Sequence, residues 1–180
     1  MPPQFWTQSS LEPKRKYRFL VDLGPSYTDS AQWYAKMATK PSFRFTTTEH
    51  AYLNHKFYYP GRVEWQEVSV TLVDPVSPDA MAETLQIIQD SGYQIPNNMN
   101  ETSTISKARS VEKLGHVKIA QIDSFGAPLE TWTLNNAFIT NVEMGDLSYS
   151  EDTLSEIKLT FRFDWASCEI AGTNYISTSA

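Results

Sequence analysis

The sequence predicts a mainly β fold: two antiparallel sheets packed as a sandwich or barrel, with one flanking helix at about residues 78–91 and a long loop at about residues 94–107. Three observations carry that expectation. Apolar and polar residues alternate at period two in several stretches; one segment bears helix-start and helix-stop residues; and clusters of Gly, Pro, Asn and Asp separate the stretches. Many strands around one main helix favour antiparallel layers with the helix at their edge.

Residues 1–13 contain Pro2, Pro3 and Pro13 and no periodicity, which predicts an irregular arm whose Phe5 and Trp6 are available to a neighbour. From Lys16 the pattern alternates: Tyr17, Phe19, Val21 and Leu23 fall on one side, with Lys16, Arg18 and Asp22 on the other, up to Gly24-Pro25. A second strand is expected over residues 32–39, with Trp33, Ala35 and Met37 on one face, before the Lys40-Pro41 junction. Aromatic and β-branched stretches at 43–48 and 52–59 follow. Pro60-Gly61 reads as a turn, and a strand over 63–73 sets Val68, Val70 and Leu72 opposite Glu67, Ser69 and Thr71.

In the expected helix, Ser77 is the N-cap, Pro78 takes the first helical position, Asp79 complements the dipole and Gly92 ends the helix; Met81, Leu85 and Ile88 form its inward stripe. The loop that follows is rich in Asn and Thr, among them Asn97, Asn98, Asn100, Thr102 and Thr104, and a loop of that length in a compact domain usually has a function. A short helical segment over 105–114 closes at Gly115. Strands are expected at 117–122, 130–134 and 137–143, with a turn at 125–128 and a loop through Gly145 and Asp152. The strongest alternation comes last: Ile157, Leu159, Phe161, Phe163 and Trp165 oppose Glu156, Lys158, Thr160, Arg162 and Asp164. The folded domain is thus placed at residues 14–170, with 171–180 as a C-terminal tail.

Length and composition fit one ordinary domain that buries a core without disulfides or metals. The single cysteine, Cys168, cannot form an internal disulfide, and no secretory signal is visible, so synthesis in a reducing cytoplasm is expected. Apolar runs of only a few residues argue against membrane insertion. A net charge of −6 opposes a nucleic-acid clamp, and the basic cluster Lys14-Arg15-Lys16 with Arg18 reads as a solvated strand face.

Little in the sequence points to chemistry. His50 and His55 are five apart and would lie on opposite faces of a continuous strand; His116 has no partner at ligand spacing. Asp146, Ser148, Ser150 and Asp152 imitate a calcium loop, but Glu151 stands where that loop needs glycine and Ile157 where it needs a bidentate glutamate, so a polar hairpin loop is the better reading. There is no nucleophile elbow and no glycine-rich phosphate cradle, and the sequon Asn100-Glu101-Thr102 has no secretory context. No catalytic residue, metal or cofactor is expected. The 23 aromatic residues and long strands with mixed-sign polar faces instead suit subunit pairing, and closing a ring would protect exposed strand edges.

Several phrases resemble the tail tube proteins of T4-like contractile phages. They are Glu49-His50-Ala51-Tyr52-Leu53-Asn54-His55, Tyr59-Pro60-Gly61-Arg62-Val63-Glu64-Trp65 and Val68-Ser69-Val70-Thr71-Leu72-Val73-Asp74-Pro75. Further along come Trp132-Thr133-Leu134-Asn135-Asn136-Ala137-Phe138-Ile139, Gly145-Asp146-Leu147-Ser148-Tyr149-Ser150 and Phe163-Asp164-Trp165-Ala166, in matching order over about residues 14–166.

The resemblance implies a structural virion protein whose hexameric rings stack into the inner tube of a contractile tail, with strands of all subunits joined into one barrel around the lumen. It implies contacts with itself, a tail sheath, a baseplate tube initiator and a tail terminator, and transient passage of genomic DNA past an acidic or mixed-charge lumen. It also implies that the loop at about 94–107, with Asn97, Asn98, Asn100, Thr102 and Thr104, reaches a neighbouring subunit, with Phe5 and Trp6 of the arm as a second candidate contact. A related bacterial injection or secretion tube shares that shape, and a baseplate tube initiator would add further segments. From other classes, a monomeric carbohydrate-binding β-sandwich would present a concave aromatic face, and a β-sandwich enzyme would cluster titrating carboxylates.

Overall fold

A computed structural model describes residues 12–24, 27, 34–94 and 104–176. In chain order these form β1 (Phe19–Asp22), β2 (Ala35–Ala38), β3 (Phe43–Tyr52), β4 (His55–Trp65), β5 (Val68–Val73), α1 (Ala80–Asp90) and α2 (Lys107–Leu114). Six strands follow: β6 (Val117–Ile122), β7 (Pro128–Asn135), β8 (Phe138–Glu143), β9 (Glu156–Arg162), β10 (Trp165–Ile170) and β11 (Thr173–Ile176).

The strands make a five-stranded sheet in the order β1-β6-β7-β10-β11, a four-stranded sheet in the order β2-β5-β9-β8, and a separate β3-β4 ribbon. Every pairing is antiparallel. One core joins the two larger sheets: Val21, Ile119, Leu134 and Ala166 come from the first, and Val68, Val70, Leu72, Ile157, Leu159 and Phe161 from the second. The period-two pattern does this directly, since alternate residues of β5 and β9 are buried and their neighbours stay half-buried or exposed. Among the described residues no sheet closes on itself, so the expected sandwich or barrel is seen as a pair of packed open sheets.

Several expected elements differ in detail. Pro60 and Gly61 are not a turn; they lie inside β4, and the hairpin reverses at Leu53 and Asn54 instead. The expected strand over 63–73 breaks at Gln66 and Glu67 into β4 and β5. The final alternating run keeps Phe163 in the core, but the chain bends at Asp164 and crosses to the other sheet, so Trp165 begins β10 rather than ending β9. Asp164 is held there by its backbone N–H donating to the Asn135 carbonyl (3.1 Å) and by Lys107 Nζ and Asn136 Nδ2 donating to its carboxylate. These side-chain bonds hold the Asp164 carboxyl below its ordinary range.

Helix α1 starts later than expected. Asp79, not Ser77, is the N-cap, accepting from the Ala82 N–H at 2.9 Å. Its buried stripe is Ala80, Thr84 and Ile87, while Leu85 is exposed. Thr84 can occupy the core because its hydroxyl donates to the Ala80 carbonyl (2.8 Å) and accepts from the buried Tyr27 hydroxyl (2.9 Å). Burial pushes the Tyr27 phenol up to about 12. At the C-terminal edge, residues 173–176, set apart as tail in the sequence, pair with β10 as an edge strand.

Candidate functional site: an exposed hairpin and two open sheet edges

The β3-β4 ribbon dominates the exposed surface. Its ten- and eleven-residue strands span about 33 Å at the usual rise per residue, and nearly every side chain is exposed on both faces. Phe45, Tyr52, Leu53, Phe57, Tyr58, Tyr59 and Val63 are all among the exposed large apolar residues. An isolated two-stranded ribbon is marginal in water, and so much apolar surface marks a contact site.

Local features explain why the ribbon stands. Backbone ladder bonds continue through its base, from the Thr39 N–H to the Ser69 carbonyl (2.9 Å) and from the Gln66 N–H to the Ser42 carbonyl (2.8 Å), so it extends the β2-β5 pair. Phe45, Phe43, Trp65 and Phe163 form a chain of ring contacts that ties the base to the core, with centroids 5.0 to 5.7 Å apart. Arg44 pairs with Glu64 and Lys56 with Glu49 across the strands. Gly61 sits at a bulge where a Cβ would lie 2.4 Å from Thr46 Oγ1, and that hydroxyl accepts from the Arg62 N–H at 2.8 Å. Pro60, which has no N–H, is tolerated beside this irregularity.

The hairpin also changes the relation of the two histidines. His50 pairs with Phe57 and Tyr52 with His55, so His50 and His55 share a face as diagonal neighbours instead of opposing each other. Thr48, Tyr52, Phe57 and Tyr59 share that face. Among the described residues no group of three or more His, Cys, Asp or Glu can hold a metal. Cys168 is buried, and its burial pushes the thiol up. His116 lies 3.2 Å from Asp22, as a strand-end pair.

The four-stranded sheet provides the second feature. Among the described residues its outer strands, β2 and β8, each have one unpaired edge. Three successive antiparallel steps, β2 to β5 to β9 to β8, make these edges run in opposite directions. The face turned away from the core carries Lys36, Ser69, Thr71, Glu143, Lys158, Thr160 and Arg162. Lys36 pairs with Glu156, and Lys158 with Glu143. Met37, Val73 and Phe138 share this face, by their pairing with Thr71, Glu156 and Arg162, and its charges are of mixed sign, so the net −6 of the chain does not concentrate there.

A buried ionic cluster steadies the base of both features. Glu130, 8% exposed, accepts from Lys14 (2.6 Å), Lys40 (2.9 Å) and Trp132 Nε1 (2.5 Å). Lys40 also donates to Gln121. Lys40 lies between β2 and β3 and Lys14 ahead of β1, so one carboxylate joins the foot of the ribbon to the five-stranded sheet. Burial alone would raise the Glu130 carboxyl, but the three donors together bring it down to about 2. The sequence offered no local sign of this cluster, since Lys14 and Lys40 are 116 and 90 residues from Glu130 along the chain.

Of the expected contact residues, Phe5, Trp6, Asn97, Asn98, Asn100 and Thr102 lie outside the described residues. Thr104 is exposed at the end of the loop. Its carbonyl closes on Gly92, where a Cβ would come within 2.6 Å and φ is 108°, and the Ser106 N–H donates to the Ser91 carbonyl. The two ends of the expected loop therefore meet at its base.

No family model matches the chain, and no curated protein matches it. Among solved structures, it is similar to a chain in the cryo-EM structure of the anti-feeding prophage cap, a tube-terminating cap, at TM-score 0.64 and 20% identity over 91% of this chain and 95% of that one. It is also similar to a chain in the sheath–tube complex of an extracellular contractile injection system, PVC, in its extended state, at TM-score 0.62 and 17% identity over 88% and 93%. A third likeness is to a chain in the six-fold symmetrised anti-feeding prophage baseplate, at TM-score 0.61 and 17% identity over 91% and 99%. The fold is therefore shared with proteins of contractile injection systems along nearly the whole length of each.

Proposed function

We propose that this chain is a structural subunit of the inner tube of a contractile injection apparatus, forming a conduit by self-assembly, with no catalytic role. The observation that carries this reading is the pair of open, oppositely directed edges on the four-stranded sheet. When β2 of one copy lies beside β8 of the next, the pairing is antiparallel, like every other in the sheet, and repetition around an axis closes a continuous barrel. Closure removes both edges, which exposed strands otherwise offer to any passing chain.

With the sixfold ring implied by the phage resemblance, the barrel would be about 40 Å across between strand axes, from the usual strand spacing. Its wall would be the mixed-charge outer face described above. The fold likeness favours a phage-tail-like injection system, working as an assembled particle outside the producing cell with a sheath, a baseplate and a terminating cap as partners. The phage tail tube is the second reading, carried by the sequence phrases around residues 49–75 and 132–166; it would place the protein in the virion and DNA in the lumen.

The test is a charge on the edge. Met37 is 61% exposed on β2, so Met37→Arg should change monomer stability by no more than about 0.5 kcal/mol while abolishing rings seen by negative-stain electron microscopy. Rings of unchanged number in that variant would refute the β2-β8 closure.

A further inference from the structure

The two packed sheets stand open along one edge. A groove of about 590 Å³ runs there, between β1 and β6 on one side and β2 on the other, within the size range of sites that bury a ligand or a peptide segment. Phe19, Ala38 and Ile119 line it, together with Lys16, Lys40 and Gln121. Phe19 and Ala38 pack against the core yet are only half-buried, so apolar surface from both sheets ends in this groove without a cover among the described residues. Two of the lysines at the groove are already neutralised, Lys36 by Glu156 and Lys40 by Glu130, so the groove suits an uncharged, apolar occupant better than an anion.

The chain itself arrives at this groove. Lys14 Nζ donates to the Glu130 carboxylate that also holds Lys40, and Gln121, which accepts from Lys40, donates through Nε2 to the Arg15 carbonyl at 3.2 Å. Residues 14–16 are thereby pinned against Lys40 and Gln121, which line the groove, and Lys16 lines it too. Trp6 precedes Lys14 by eight positions, which allows a reach of up to about 26 Å. β2, one wall of the groove, is four residues long and spans only about 13 Å. The composition of residues 1–11, which lie before the described chain, matches the groove: none has a charged side chain, and Phe5, Trp6 and Leu11 are large and apolar. Pro2, Pro3 and Pro13 restrict the backbone, which lowers the entropy lost when such a segment is laid in place.

We propose that residues 1–11 lie along this groove of their own chain, with Phe5 and Trp6 packed on Phe19, Ala38 and Ile119. The contact closes the open edge between the sheets and backs β2 from its core side. That strand needs the support: it is short, its register shifts between Ala35 and Met37, and among the described residues it pairs on one edge only. The two aromatics are thereby assigned to their own subunit and not to a neighbour. Every contact is within one chain, so the proposal goes beyond the tube reading and stands or falls without it.

Photo-crosslinking tests this in the full chain. Phe5→p-benzoylphenylalanine keeps an aromatic ring at that position; the variant is irradiated as an equal mixture of unlabelled and isotope-labelled protein, and the joined peptides are identified by mass spectrometry. The expected result is cross-links to residues 17–21, 35–40 or 117–122, formed within one chain. Alongside it, Trp6→Asp should speed hydrogen exchange at Met37 and Ala38 about tenfold or more and leave β8 unchanged. Cross-links chiefly between labelled and unlabelled chains would assign the segment to a second copy and overturn the proposal. So would cross-links elsewhere, none at all, or exchange in β2 that Trp6→Asp leaves unaltered. Failure of the unmodified protein to form rings would overturn the tube reading alone, since the cross-link is read within a single chain.

Discussion

At the residue scale, Glu130 is the most informative side chain. Its carboxyl is lowered from 4.5 to about 2 by Lys14, Lys40 and Trp132 against the opposing effect of burial. A depressed acid stabilises the fold above its unfolded value and loses that contribution as pH falls through the folded value. The cluster should therefore be fully effective above about pH 5 and spent near pH 2. Glu130→Gln leaves two lysines facing a neutral amide and should cost about 1–3 kcal/mol at pH 7. Its stability curve should be flatter than that of the unmodified protein between pH 5 and 2, measured by chemical unfolding. Equal slopes would show that the carboxylate contributes nothing.

At the element scale, the ribbon shows why some of the fold was legible and some was not. The alternation of β5 and β9 is visible in sequence because each strand has one wet and one dry face. The ribbon is wet on both, so only its aromatic and β-branched composition marks it, and Pro60-Gly61 resembles a turn unless Thr46 is known to sit opposite. The helix stripe was misplaced by one position because Thr84, a polar residue, takes a core site through hydrogen bonds made to Tyr27 and Ala80. The edges of β2 and β8 could not be read at all, since pairing order is a property of the whole sheet. Gly61→Val should disturb the ribbon alone, because the added side chain meets Thr46 while the core is remote. Hydrogen exchange should accelerate across residues 43–65 and stay unchanged in β5 and β9; uniform acceleration would mean that the ribbon supports the core.

At the scale of the whole molecule, charge and topology act together. The wall assigned to the conduit is ion-paired, with Lys36–Glu156 and Lys158–Glu143 cancelling and Arg162 the only charge on it without a partner among the described residues. The sequence reading expects an acidic or mixed-charge lumen, and in the proposed ring the wall would be this face of mixed charge. Such a wall lets a charged cargo slide without a strong site to hold it, because neutralised pairs release few counterions. Assembled tubes should accordingly show no salt-sensitive retention of duplex DNA; retention that disappears between 50 and 200 mM salt would indicate a cationic lumen instead.

The central claim is that this chain closes into rings through its four-stranded sheet. Purified protein, concentrated and imaged by negative-stain electron microscopy, measures that most directly. Hollow rings or tubes with sixfold class averages are the predicted result, with a lumen wall of strands; a population of monomers at every concentration, with no ring among them, would contradict it.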